Sequence, residues 1–152
     1  MDDLYFDDFE PGQRFFTKGT TLTESAIIDY AFRYDPQPFH MDAEEAKGTV
    51  YGGLIASGFH TLSVASRLVL DERVFSACSM GSPGLDELRW LKPVRPGDTL
   101  RVEFEVREMR PSKSKPERGI LGMFYQTHNQ HGEVVMTYTI NHMLARRPET
   151  QR

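Results

Sequence analysis

Apolar and polar positions along the chain change their period twice. From Thr23 the spacing is helical: Ala26, Ile27, Tyr30 and Ala31 fall on one face, and Thr23 is a residue type that caps a helix start. This predicts a helix that stops near Tyr34, because Pro36 and Pro38 follow at once. Asp42 can cap a further short turn through Ala46. A second, longer helix is predicted from Ile55 to Leu70, with Ala56, Phe59, Leu62, Ser63, Ser66 and Val69 or Leu70 sharing a stripe. Its early turns are rich in small residues, which lets other backbone come close. After Gly84 the period drops to two. Leu100, Val102, Phe104 and Val106 alternate with Arg101, Glu103, Glu105 and Arg107, the pattern of a half-buried strand.

Further strands are predicted at Gln13 to Thr17, Leu85 to Leu91, Ile120 to His128 and Val134 to Leu144. The last two are joined across Asn129-Gln130-His131-Gly132, a hairpin loop. The polar run from Pro111 to Arg118 should be an exposed connection. Helices grouped among antiparallel strands imply an α+β architecture, one long helix against a sheet of five or six strands, rather than a parallel doubly wound sheet. A single domain spanning 1–152 suits the 152-residue length.

Composition narrows the function classes. A net charge of −4 argues against a dedicated nucleic-acid binder, which carries a basic face. No apolar run has the length of a membrane span, and the acidic, aromatic start is unlike a secretory leader, so a cytoplasmic, reduced protein is the expectation. The single cysteine, Cys78, has no motif around it and reads as inert.

The chemistry-bearing stretch runs from Tyr30 to Thr61. Asp35 and His40 are separated by a segment, Pro36-Gln37-Pro38-Phe39, that is expected to be non-helical and stiff. Such a loop can hold a carboxylate and an imidazole at fixed separation for acid–base work. On spacing alone an ordinary turn, with Asp35 as its brace and His40 as a loop residue, is the better account of the pattern. Gly52-Gly53 and then Ser57-Gly58 lead into the long helix, whose first N–H groups are unpaired and lie at the positive end of the helix dipole. The N–H of Gly58, unshielded by a Cβ, suits a developing oxyanion. Tight packing is the other explanation for these glycines. Phe39, Tyr51 and Phe59 flank the stretch and line an acyl pocket or belong to the core. Lys113, Lys115 and Arg118 meet phosphates or form a solvated loop, and Arg146-Arg147 read as a charged end. His60, His128, His131 and His142 lack metal-ligand spacing.

The run DPQPFHMDAEEA, followed by YGGLIASGFHT, resembles the MaoC-like dehydratase family, which includes (R)-specific enoyl-CoA hydratases. The segments Leu91-Lys92-Pro93-Val94 and Pro96-Gly97-Asp98 extend the resemblance over most of the chain. It implies the hot-dog fold, a long helix wrapped by a curved antiparallel sheet. It also implies addition of water to a trans-2-enoyl-CoA thioester, with Asp35 as main base, His40 orienting the water and the Gly58 N–H in an oxyanion hole. Gln37, Phe39, Tyr51, Ser57 and Phe59 are then the expected substrate-binding residues, with an acyl-CoA as partner, no cofactor and no metal. A homodimer or dimer of dimers is expected, with the site near the interface. The sequence departs from the best-known hydratases at Arg33-Tyr34, Gln37 and Ser57, where they carry Ser-Gly, Asn and His. Arg33 and Tyr34 are bulkier and are expected to alter the acyl pocket. Three alternatives share the resemblance: a thioesterase, a non-catalytic binding or regulatory protein, and one half of a larger dehydratase.

Overall fold

The computed structural model describes residues 2–151. After a 3-10 turn at Phe6–Asp8, short strands β1 (Arg14–Phe16) and β2 (Thr20–Thr21) lead to helix α1 (Glu24–Tyr34). Thr23 caps α1 as expected, its hydroxyl accepting from the Ala26 N–H. Two short helices follow, α2 (Pro38–Met41) and α3 (Ala43–Lys47), the latter capped by Asp42, which accepts from the Glu44 and Glu45 N–H groups. The long helix α4 (Gly58–Asp71) and strands β3 (Leu85–Trp90), β4 (Thr99–Pro111), β5 (Arg118–His128) and β6 (Val134–Ala145) complete the molecule.

The antiparallel sheet has the order β1-β4-β5-β6-β3, with β2 also paired to β4. Although β3 precedes β4 in the chain, it pairs with β6 and forms an edge of the sheet. The period-two pattern sets the sheet's inner face: Leu100, Val102, Phe104 and Val106 of β4 are buried beside Leu121, Met123 and Tyr125 of β5 and Met136 and Tyr138 of β6. Tyr125 stacks on Tyr138 at 4.7 Å and on Phe104 at 5.5 Å, and Phe15 covers Phe104 at 5.2 Å. His142 enters the same layer, stacked on Phe75 at 4.5 Å and hydrogen-bonded through Nε2 to the Tyr125 hydroxyl.

Helix α4 lies across this face, and here two expectations are corrected. The helix starts at Gly58, not Ile55, because the Ile55 and Ala56 N–H groups are engaged by the Phe39 and Val94 carbonyls in an extended segment. Its buried stripe is Thr61, Ala65, Leu68 and Val69, while Phe59, Ser63, Ser66 and Leu70 face outward. The predicted stripe was therefore turned away from the true one, since residues 55–57 do not share the helical phase. A third correction concerns Pro38 to His40, which lie in a helical turn: proline sits at its first position, where its missing N–H has no partner to lose.

The two ends of the described chain are clasped. Phe6 is buried with its ring on Gly119, where a Cβ would approach it to 2.6 Å. Arg146 donates to Asp7 at 2.7 Å, and Arg147 pairs with Asp8. Cys78 is buried, and its thiol is pushed up to about 11 by desolvation.

Candidate active site

Asp35 is the C-cap of α1, and the single turn of α2 brings His40 back to face it. His40 Nε2 lies 3.3 Å from Asp35 Oδ2, and both side chains are largely shielded from solvent. The other ring nitrogen, Nδ1, lies 2.7 Å from the Ile55 carbonyl oxygen, which has only lone pairs. Nδ1 therefore carries a proton and donates it to Ile55, so in the neutral ring Nε2 presents its lone pair toward Asp35.

The Asp35 carboxylate is held from both sides. Gln37 Nε2 donates to Oδ1 at 2.6 Å, and Ser57 Oγ donates to Oδ2 at 2.7 Å. Burial works against the charge, but these two bonds and the field of His40 outweigh it and keep the carboxyl pKa below its ordinary value. Asp35 is thus a fixed anion at neutral pH.

Ser57 is fully buried and is the N-cap of α4. Its hydroxyl is committed to Asp35, and Ser57 does not line the cleft shared by Asp35 and His40, where a substrate-binding residue was expected. Gly58 opens α4, and its N–H has no acceptor among the described residues. Close packing, one of the two reasons expected for a glycine there, is present. A Cβ on Gly58 would lie 2.4 Å from Trp90 Cε2, so the space is taken by an indole.

These groups share a cleft of about 540 Å³. Asp35, Gln37, His40 and Gly58 supply its polar part, and Phe39, Tyr51, Phe59, Trp90, Leu91 and Val94 its apolar wall. Phe39, Tyr51 and Phe59 are thereby on the cleft wall. The loop carrying Tyr51 is tied down by Arg95, whose guanidinium donates to the Tyr51 carbonyl at 2.6 Å. Leu91 to Val94 carried part of the family resemblance, but no residue from Trp90 to Val94 was expected at the site, although Trp90 is the chain's one tryptophan.

Other residues lie elsewhere. Arg33 pairs with Asp29 and Tyr34 is 71% exposed beside Tyr30, so neither shapes the cleft. This corrects the expectation that they alter the acyl pocket. Lys113, Lys115 and Arg118 sit where β4 turns into β5, at the opposite end of the strands from Trp90. Among the described residues no three His, Cys, Asp or Glu side chains gather as a metal site. His60 is buried under Tyr30, ring on ring at 4.6 Å, and burial lowers its pKa. Among the described residues no helix is long and apolar enough to cross a membrane.

A long helix on an antiparallel sheet of this order is the hot-dog arrangement, shared with a Mycobacterium tuberculosis protein described as a double hotdog fold, with a TM-score of 0.76. The chain belongs to the MaoC-like dehydratase family, whose model, described as the MaoC like domain, matches residues 8–122. A MaoC-like dehydratase from Rhodospirillum rubrum has a similar structure, with a TM-score of 0.89 and 39% identity, covering 95% of this chain and 99% of that one. The uncharacterised protein YdeM of Bacillus subtilis is 33% identical over 84% of this chain and 89% of its own length. A 3-hydroxybutyryl-CoA dehydratase of Methylorubrum extorquens is 31% identical over 74% of this chain and 69% of its own.

Proposed function

We propose that the protein is a hydro-lyase that adds water reversibly to a trans-2-enoyl-CoA thioester, giving a 3-hydroxyacyl-CoA. The observation that carries this reading is the convergence of two acceptors, His40 Nε2 and Asp35 Oδ2, 3.3 Å apart in a cleft that also contains the unpaired Gly58 N–H. The relative named as a 3-hydroxybutyryl-CoA dehydratase supports the substrate class.

Two acceptors at that spacing hold one water by both of its hydrogens and direct its oxygen lone pair outward. As the water oxygen bonds to C3, the C2=C3 electrons move toward the carbonyl and the Gly58 N–H stabilises the enolate oxygen. His40 Nε2 takes the water's proton, and the adjacent Asp35 anion stabilises the resulting imidazolium. The same proton then passes to C2, which closes the balance without any other reactant. The depressed Asp35 pKa and the Nδ1–Ile55 bond favour His40 as the base, the reverse of the division expected from the family resemblance.

Incubation with crotonyl-CoA should remove the enoyl absorbance with no release of thiol. Free CoA appearing instead would make the protein a thioesterase.

The assembly reading rests on β3, the exposed sheet edge. It carries Leu85 and Trp90, with Leu91 and Phe59 beside it, all large apolar side chains left 43–58% exposed. A second copy pairing along this edge would satisfy the free backbone groups and cover the side chains, giving a homodimer that can associate further into a dimer of dimers. Sedimentation should therefore give at least twice the 17.4 kDa chain mass, and a monomer at micromolar concentration would remove this proposal.

A further inference from the structure

Strand β3 contains an irregularity whose effect reaches the cleft. Its pairing with β6 runs Leu85 to Ile140 and Asp86 to Thr139, then resumes as Arg89 to Thr137 and Trp90 to Met136. Three steps along β3 match two along β6, so one extra residue is absorbed at Glu87–Leu88. Glu87 takes a left-handed φ of 52°, a conformation costly for a residue with a side chain. Directly paired residues point to the same face of a sheet, and Met136 is fully buried on the helix side. An uninterrupted register would have set Arg89 opposite Met136 and turned Trp90 to the outer face. The bulge exchanges them, and bulges re-aim side chains in this way beside functional sites.

The re-aimed indole packs directly on the start of α4. It occupies the space a Cβ on Gly58 would need, and its Nε1–H donates to the Gly58 carbonyl at 3.0 Å. Phe59 meets it edge to face at 5.9 Å. Trp90 also lines the cleft, so the ring forms the part of its wall that touches Gly58. On the reading given above, that is where the thioester carbonyl and the first acyl carbons lie.

We infer that Trp90 is the specificity-determining residue of this site. Its indole, aimed by the bulge at Glu87 and pinned to the Gly58 carbonyl, limits the acyl group beside the thioester and selects short, unbranched chains. This rests on the enoyl-CoA reading, but its test separates the two.

Trp90 is the chain's sole tryptophan, so intrinsic emission reports on this ring directly. Butyryl-CoA, which has no double bond to hydrate, should change the emission saturably relative to free CoA. Octanoyl-CoA should do so with at least tenfold weaker affinity. Trp90→Ala should raise the kcat/KM ratio of 2-octenoyl-CoA to crotonyl-CoA at least tenfold. Trp90→Phe keeps a ring and should move the ratio the same way by less, which decides the matter if the alanine variant does not fold. Emission indifferent to butyryl-CoA, an octanoyl-CoA affinity equal to that of butyryl-CoA, or a variant that scales both chain lengths by one factor overturns the inference. If enoyl-CoAs are not hydrated but butyryl-CoA moves the emission, the proposed activity fails alone. The octanoyl-to-butyryl affinity ratio of the variants, measured by calorimetry, then stands in for kcat/KM.

Discussion

Asp35→Asn should lower the rate of crotonyl-CoA hydration about 1,000-fold, within the range general acid–base groups contribute. The amide has nearly the shape of the carboxylate and can still accept from Ser57 or Gln37, the two donors that hold it. The fold should survive, and circular dichroism and the melting temperature should stay near those of the unmodified protein. On the proposed mechanism, what is lost is the anion beside His40 Nε2 and one of the two acceptors that hold the water. His40→Ala should cost a similar factor, because it removes the other acceptor and the proton carrier. The double variant should be little worse than the poorer single one, since groups acting as one unit lose their effect together. KM should change far less than kcat in each case. Turnover by Asp35→Asn equal to that of the unmodified protein would remove Asp35 from the chemistry.

The second large effect concerns stability in acid. Burial drives the His142 pKa down from 6.5 to about 4, so the folded state holds the ring neutral against Phe75 and Tyr125. The sign follows from proton counting. Between pH 6.5 and 4 the unfolded chain has bound a proton at this position and the folded chain has not, so stability falls as pH falls through that window and is flat above it. A shift of this size corresponds to about 3 kcal/mol, a large share of a typical domain's total. His142→Gln carries no such proton. Urea unfolding at pH 7, 5.5 and 4 should show the stability gap between variant and unmodified protein moving by that amount in the variant's favour toward pH 4. All other titrations, His60 included, cancel in this comparison. A gap independent of pH would show that His142 ionises in the folded state as it does in the unfolded chain.

Much of the fold was legible because its signals are local. The alternation at Leu100 to Val106 marks a strand with one buried face, and Thr23 with Pro36 brackets α1. The acid–imidazole pair was legible as a candidate, and its family resemblance separated it from an ordinary turn. Other features depended on contacts distant in sequence. Ile55 to Ser57 look helical by composition but are held extended by the Phe39 and Val94 carbonyls. Ser57 reads as a substrate contact until its hydroxyl is seen on Asp35, a residue 22 positions earlier. Arg33 and Tyr34 adjoin Asp35 in the chain, yet α1 turns them outward, because neighbours on a helix point in different directions. The bulge that aims Trp90 has no signature in the sequence, since Glu87 gives no hint of a left-handed backbone.

The clasp between the chain's two ends has a consequence for how the molecule can be rearranged. With Asp7 and Asp8 held by Arg146 and Arg147, and Phe6 anchored on Gly119, the fold is close to a closed ring. Ion pairs at the surface add little energy, so the buried Phe6 ring does most of the anchoring. A short peptide joining the segment after Arg147 to the segment before Asp7 would complete the ring, and the chain could be opened in the exposed turn between β4 and β5, away from the cleft. Such a circularly permuted chain would keep every strand pairing and leave the surroundings of Asp35 and His40 untouched, because no contact at the cleft depends on the direction in which the ring is read.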